Sequence, residues 1–419
     1  MSLKRNALWN LAGTAIPMVA GLALIPFTLN RLGSEAFGVL TLVWGLIGYF
    51  SVFDMGVGRA LTVQLSQLAA KGDLAEPGAL VRSGILLTLA AGLLGMALVW
   101  LLAPSLANQW LKISPALQDD ARLAFLVAAV GVLPTTLASG LRGALEGLDR
   151  FAASNLTRIV LGVWMFALPA WAVYSHGPRL EVIALYLVLG RGLVVLAMVI
   201  QLREHLFLTP GAAVGRRHFK ALWNYGLWVT VTGIVGPLMV YGDRFFVSAA
   251  VGAEQLPLYA IPQDVLLRLL LIPMALTGAL LPRLAAMGTI DAEVAYRQTY
   301  RRVGMGMLAI CLLAAALAYP VLSLWISAEF ATSALPVVLV LCIGVWVNSL
   351  ASVPYTLLHA KGNPRLTALF HIAELVLYLL ALWLLSSRYG LVGAALAWVA
   401  RVALDWLLLH RAVRRLYGV

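Results

Sequence analysis

Among the ionisable side chains of this 419-residue chain that fall inside long apolar runs are Arg191, Asp264, Arg268, Glu374, Arg401 and Asp405. A charge near the middle of a bilayer costs about 2.5–3.5 kcal/mol even on the lenient insertion scale, so each of these groups needs a partner or a purpose. Asp264 and Arg268 are four residues apart, as are Arg401 and Asp405. On a helix each pair shares a face and can neutralise itself. Arg191 is different, because Leu187, Val188, Val194 and Val195 surround it at helical spacing and give it no counter-ion. Its partner must be a carboxylate on another helix or an anionic ligand, and the planar fork of a guanidinium suits phosphate oxygens. Glu374 follows His371 by three residues, which puts carboxyl and imidazole on one helix face. That pair reads either as a proton-coupling site or as a hydrogen-bonded packing pair. His359, Asn348 and Gln263 are weaker polar candidates.

Other charges have simpler readings. Arg142, Glu146 and Arg150 run at spacings of four, the pattern of a salt-bridged helix end. Asp54, beside Gly56 and Gly58, stabilises a turn or pairs with Arg59. Cys311 and Cys342 lie in apolar runs with no His or Cys at ligand spacing and read as packing residues. No HExxH, phosphate-binding loop, GxSxG or nucleotide fingerprint occurs, so enzyme chemistry has little to stand on.

The elements that must hold these side chains follow from composition. Hydrophobic residues make up 62% of the chain and charged residues only 11%, whereas a soluble domain carries about 25% charged residues. The apolar runs exceed the length of a barrel strand, which leaves an all-α polytopic membrane protein. Twelve spans are expected: Leu8 to Asn30, Phe37 to Val57, Gly84 to Ala103, Leu123 to Leu141, Ile159 to Tyr174, Val182 to Leu202, Leu222 to Tyr241, Leu258 to Leu281, Val303 to Trp325, Leu335 to Leu358, Leu366 to Ser386 and Leu391 to His410. The first run contains Pro17 and Pro26 and is too long for a signal peptide, so it reads as an uncleaved span.

The distribution of Lys and Arg sets the orientation. With the amino terminus inside, inner segments carry 21 of the 30 basic residues. Outer segments carry six, Arg31, Lys112, Arg122, Arg179, Arg244 and Arg388, and the other three lie within spans. Both termini are therefore expected in the cytoplasm. The net charge of +12 is spread over alternate loops, the pattern of a topology signal and not of a nucleic-acid surface.

The chain also repeats itself. Ala7-Leu8-Trp9-Asn10 recurs as Ala221-Leu222-Trp223-Asn224, and Leu65 to Ala70 corresponds to Leu281 to Ala286. Pro104 and Trp110 pair with Pro320 and Trp325, Gly147 and Arg150 with Gly362 and Arg365, and Arg191 with Arg401. These matches at nearly one shift imply two homologous halves of six spans, residues 1–202 and 221–419, joined by a basic connector at 203–220. An even number of spans gives the halves the same orientation, the parallel-repeat arrangement of some transporters.

Several short segments in order carry a family resemblance: Leu32 to Gly38, Phe53 to Ala60, Asp243-Arg244-Phe245, Pro273 with Gly278 and Pro282, and Tyr389 to Ala395. With them the whole chain resembles the polysaccharide flippases, the O-antigen and related lipid-linked oligosaccharide translocases of the multidrug/oligosaccharidyl-lipid/polysaccharide exporter superfamily. The resemblance implies two six-helix lobes around a central cavity, alternating access, and transport of undecaprenyl-pyrophosphate-linked oligosaccharide to the periplasmic leaflet of the bacterial inner membrane. It implies no cofactor beyond a coupling H+ or Na+, and as partners the lipid-linked substrate, membrane lipids and the polysaccharide polymerase machinery.

On that reading Arg191, Arg268, Arg401, Arg59 and Asp264 serve the substrate, and Glu374, His371 and Asp405 serve coupling. Arg191 and Arg401, matched by the repeat, are expected to face one another and hold the diphosphate. Drug antiporters of the superfamily usually place acids in the amino-terminal lobe, and the first span here has none; lipid II flippases typically have fourteen spans, and twelve are counted here. Both remain alternatives. A membrane-embedded polymerase or glycosyltransferase needs a long outer loop, but the longest outer connection runs only from Pro104 to Arg122.

Reporter fusions test the orientation. Fusions at Val214 and Val419 are expected to be active only as cytoplasmic reporters. Alkaline phosphatase activity at either site would overturn the topology.

Overall fold

The computed structural model describes residues 3–50, 56–70, 77–208, 222, 239, 242–287 and 289–418. Every regular element among the described residues is helical. The longer helices are α1 Leu3–Leu32, α2 Ser34–Phe50, α3 Val57–Ala70, α4 Pro77–Ser105, α5 Gln118–Gly147, α6 Phe151–His176 and α7 Leu180–Gln201, followed by α8 Asp243–Val251, α9 Leu256–Leu267, α10 Leu271–Ala286, α11 Thr289–Trp325, α12 Ala328–Ala360 and α13 Pro364–Tyr417. Helices satisfy their own backbone groups, as a bilayer interior requires. Their outward faces are apolar, with Leu324 90% exposed and Leu101, Leu312 and Val376 well exposed too. In water such a surface would aggregate, whereas against lipid it is the expected exterior.

Nine stretches among the described residues are long and apolar enough to span a bilayer. The expected boundaries marked hydrocarbon and not helix. Thus α11 opens at Thr289, well before Val303, because its charged early turns around Glu293 and Arg297 keep helical geometry beyond the apolar run. The expected seventh span lies outside the described residues except for Leu222 and Met239, as do Asp54 and the connector beyond Leu208. Beyond that span's expected end at Tyr241, Gly242 is a turn residue and α8 is helical from Asp243.

The two last expected spans form one element, α13, broken at Gly390, where φ is 60° and ψ is −138°. A Cβ on Gly393 would meet the Leu385 carbonyl oxygen at 1.9 Å. A straight helix holds residues that far apart in sequence about 12 Å apart, so the chain turns back on itself here. Glycine at both positions explains why so short a segment can do it.

The internal repeat reappears in the turns. Positive φ occurs at Gly33, Asp149 and Gly177 and again at Gly252, Gly362 and Gly390. The shifts are 252 − 33 = 219, 362 − 149 = 213 and 390 − 177 = 213. The α5–α6 turn closes with Arg150 N–H donating to Leu145 O (2.8 Å) and Asp149 N–H to Glu146 O (3.1 Å). The α12–α13 turn closes with Asn363 N–H donating to Leu358 O (2.9 Å) and Gly362 N–H to His359 O (3.1 Å). Both are the same helix-ending motif, with a left-handed residue just past the helix. The backbone therefore aligns Asp149, and not Gly147, with Gly362. In that register Arg191 corresponds to Leu404, and Arg401 sits about one helical turn away from the equivalent position.

The chain forms two compact units, Met1–Gly242 and Asp243–Val419. In the first, α5 packs on α3, α4 and α7, and α1 on α6; Leu61, Leu65, Leu141, Leu145 and Met198 fill the joint core. In the second, α12 packs against α11 and α13, and α8 against α13. Small residues allow the close crossings that stabilise helix pairs in lipid. The tightest joins α3 to α5: a Cβ on Gly143 would lie 2.0 Å from Gly58 O, and Thr62 Oγ1 donates to Gly58 O and Gly143 O at 3.1 Å each.

Replacing Gly143 with Ala must push α3 and α5 apart and is expected to cost about 1–3 kcal/mol. Thermal melting of the detergent-purified protein checks it, with Gly306→Ala as the comparison, since a Cβ at Gly306 meets nothing within 4 Å. Equal melting temperatures for the two variants would refute the close crossing.

Candidate functional site

The polar residues of the second unit gather where α8, α9, α12 and the two arms of α13 meet. Asp243 is the first residue of α8, a position where the helix end favours a negative charge. It is fully buried. Its Oδ2 accepts from the Tyr259 hydroxyl and from Gln263 Nε2, both at 2.8 Å, and from the Tyr378 hydroxyl at 3.4 Å. Tyr259 and Gln263 are four residues apart on α9, so one helix face supplies both donors. Arg244, only 2% exposed, forms an ion pair with Asp264.

That pair corrects two expectations. Arg244 is a buried partner within α8 and not a loop charge. Asp264 is taken by Arg244 and not by Arg268. The helix tightens into a 3-10 turn at Arg268–Leu270, ahead of Pro273, whose missing N–H cannot bond the carbonyl four residues back. Arg268 is half-buried there and forms no ion pair with a described residue.

Along the first arm of α13, Thr367, His371, Glu374 and Tyr378 follow at spacings of four, three and four and so form one face. Asp405 and Arg401 come from the second arm. His371 Nε2 stands 3.7 Å from Asp405 Oδ1, and one ligand atom each from His371, Glu374 and Asp405 lie within 4.8 Å of one another. The Arg401 guanidinium carbon lies 5.7 Å from the centre of the Tyr378 ring, a cation–π contact, and Arg401 interacts electrostatically with both acids. From α12 the Tyr355 ring stacks on His359 at 4.1 Å and on His371 at 6.1 Å, and His359 Nε2 meets Thr367 Oγ1 at 2.9 Å.

Glu374 is 0% exposed, and neither of its carboxylate oxygens accepts a hydrogen bond from a described donor; nor does Asp405 Oδ1. Two carboxylates against one guanidinium leave one negative charge in an apolar setting, which costs several kcal/mol unless a cation joins them. One bound proton or one metal ion supplies that charge, and a histidine nitrogen with two carboxylates within 4.8 Å is a donor set that either can use. The expected coupling residues His371, Glu374 and Asp405 are thus brought together.

In the first unit Arg191 is half-buried on α7. Its Nη1 donates to the carbonyl of Leu187, one turn back in its own helix, at 3.2 Å, and it forms no ion pair with a described residue. Arg59 is exposed at the start of α3. The Glu146–Arg150 step of the expected ladder of Arg142, Glu146 and Arg150 does not form. Since α5 ends at Gly147, Arg150 lies beyond the helix; it donates to Gln201 O and pairs with Glu204 at 3.7 Å, while Glu146 accepts from Ser154 Oγ at 2.7 Å.

Asp243, Arg244, Tyr259, Tyr378 and Tyr355 were not among the expected site residues. The repeat held the signal for the first two. Carrying the first span, Leu8 to Asn30, forward by 214 to 216 residues runs the seventh through Arg244.

Comparison with known proteins gives the fold and the family. An inward-facing multidrug-resistance MATE-family transporter of the MOP superfamily has a TM-score of 0.79 at 14% identity, over 98% of this chain and 99% of that one. The lipid II flippase MurJ in an inward closed conformation has a TM-score of 0.76 at 13% identity, over 97% and 87%. A Shigella flexneri protein named "Putative O-antigen transporter" is 31% identical over all of this chain and 99% of its own length. The pattern of the family described as "Polysaccharide biosynthesis protein" matches residues 3–287. With that match over most of its length, and a full-length relative at that identity, the chain belongs to the polysaccharide biosynthesis protein family.

Proposed function

We propose that the protein is a flippase of the bacterial inner membrane. It moves undecaprenyl-pyrophosphate-linked oligosaccharide from the cytoplasmic to the periplasmic leaflet by alternating access, driven by a cation bound at Glu374 and Asp405. It is a transporter and not an enzyme, in keeping with the name of its full-length relative and the folds it shares. Arg191 carries the substrate assignment: a guanidinium in the middle of a spanning helix whose bond is to its own backbone and which no described carboxylate neutralises. Such a group is suited to a diphosphate, which must be held out of hydrocarbon as it crosses, and its forked donors match phosphate oxygens. Arg401 is less available, being engaged with the Tyr378 ring and the acid pair. Arg268, left without Asp264, is the second cation open to the substrate.

A second reading, antiport of a cationic drug, draws on the acids of the second unit. Arg401 and His371 stand among those acids, however, and leave one negative charge, enough for a small coupling cation. The sign of Arg191 favours an anionic cargo.

Export in a flippase-null strain and binding of a lipid diphosphate to purified protein test the assignment. One charge-assisted hydrogen bond is worth about 1.5–3 kcal/mol, so Arg191→Ala is expected to weaken binding about ten- to hundredfold and abolish export. Arg191→Lys, which keeps the charge and loses the fork, is expected to retain part of both. Wild-type export and binding by Arg191→Ala would overturn the phosphate role and leave a structural arginine.

A further inference from the structure

The face of α13 that carries Glu374 continues beyond it toward the turn at Gly362. Thr367, His371, Glu374 and Tyr378 span about 16 Å along the helix axis, and each is a hydroxyl, an imidazole or a carboxyl. Glu374 is 0% exposed and Thr367 3%, whereas the His371 side chain between them is 32% exposed, so His371 is the member of this face that opens from the buried pair. Beyond His371 come Tyr355, stacked parallel to it, and His359, which meets Thr367. His359 is two residues from Lys361, at the turn where Gly362 is exposed. Arg365 stands at this end of the unit, as do Arg411, Arg414 and Arg415, and such a basic end marks the cytoplasmic side.

The geometry points to a proton-release path: the coupling cation is H+, and His371 carries it between the buried Glu374–Asp405 pair and the cytoplasmic end of the second unit, with His359 as the outer station. This rests on the coupling role given above to Glu374 and Asp405. The steps balance as simple proton transfers. The Glu374 carboxyl gives its proton to the Asp405 carboxylate, Asp405 gives it to Nε2 of neutral His371, and the imidazolium releases the proton on Nδ1 toward His359 or water. His371 Nε2 stands 3.7 Å from Asp405 Oδ1, beyond a hydrogen bond, so that transfer takes a rotamer change or one bridging water. An imidazole is the side chain that can accept on one nitrogen and donate from the other near neutral pH. A metal ion would use the same three groups as fixed ligands and would have no need of Tyr355 and His359 behind them.

The groups that face the acids from each packed element bear this out. Arg401 and Asp405 come from the second arm of α13, His371 and Tyr378 from the first, Asp243 from α8 by way of Tyr378, and Tyr355 and His359 from α12. Arg401 holds a fixed positive charge against the pair. The proton therefore changes the site between neutral, with one carboxylate ionised, and singly negative, with both ionised beside Arg401.

The test uses the full-length protein in proteoliposomes, with an internal pH dye reporting proton flux after a pH jump and a lipid diphosphate as cargo. Glu374→Gln is expected to abolish proton flux. His371→Ala is expected to slow it about tenfold or more, and imidazole added on the cytoplasmic face is expected to restore it. His359→Gln is expected to slow flux less. His371→Gln, run in parallel with a melting measurement, separates loss of the relay from loss of the fold.

Wild-type flux in Glu374→Gln would overturn the coupling reading itself. Loss of flux in Glu374→Gln with wild-type flux in His371→Ala would overturn the relay alone. So would slow flux in a well-folded His371→Ala that imidazole fails to restore. Cargo-linked uptake of labelled Na+ that depends on His371, Glu374 and Asp405 and is indifferent to pH would make the cluster a metal site and overturn the proposal.

Discussion

Hydrocarbon offers no hydrogen bonds, and that constraint governs every level of this structure. It makes the backbone helical, since only helices close their own donors and acceptors within each span. It removes the hydrophobic drive between helices, so that close approach must do the work, and Gly143 lying against Gly58 with Thr62 bonding both carbonyls is how α3 and α5 meet that demand. It also sorts the charges. Asp243 has three donors and Asp264 has Arg244. Glu374 has no donor on either oxygen and Arg191 has only its own helix, and each such exception costs several kcal/mol. Function is the simplest compensation for that cost.

The two exceptions have opposite signs and lie in different units. In the second unit Asp264 is paired with Arg244, Asp243 is held by three neutral donors, and Glu374 and Asp405 share Arg401. In the first unit Arg191 bonds its own helix. Asp243 links the structural and titratable parts of the second unit: Tyr378 donates to it from the same helix face that carries Glu374, and Arg401 covers the ring of that tyrosine. A change of charge at the acid pair is therefore felt at α8 through one side chain.

Much of this was legible in the sequence, for physical reasons. Apolar length gave the helices, because lipid leaves no alternative. The spacing of His371 and Glu374, and of Arg401 and Asp405, gave two helix faces correctly. Their convergence was not legible, since it depends on the turn at Gly390 bringing the second arm of α13 back along the first. Pairings between helices were misjudged wherever the nearest candidate in sequence was assumed. Asp264 chose Arg244 on α8 over Arg268 on its own segment, because a 3-10 turn ahead of Pro273 intervenes. Arg150 chose Glu204 over Glu146 because α5 had already ended. Helix ends were misplaced because hydropathy marks where lipid stops, whereas caps and left-handed residues such as Asp149 mark where the helix stops.

The repeated turns show how such a division of charge can arise. Asp149 and Gly362 close the same motif, and Gly177 and Gly390 stand at the same shift, so α7 and the second arm of α13 occupy corresponding places in the repeat. In that register Arg191 aligns with Leu404, beside Asp405, and Arg401 lies about one turn away. The corresponding stretch of helix thus carries a basic residue in one unit and Arg401 and Asp405 in the other. Coupling between such sites is a free energy, and it is reciprocal: if the cation changes the affinity for the anionic cargo by some factor, the cargo must change the affinity for the cation by the same factor.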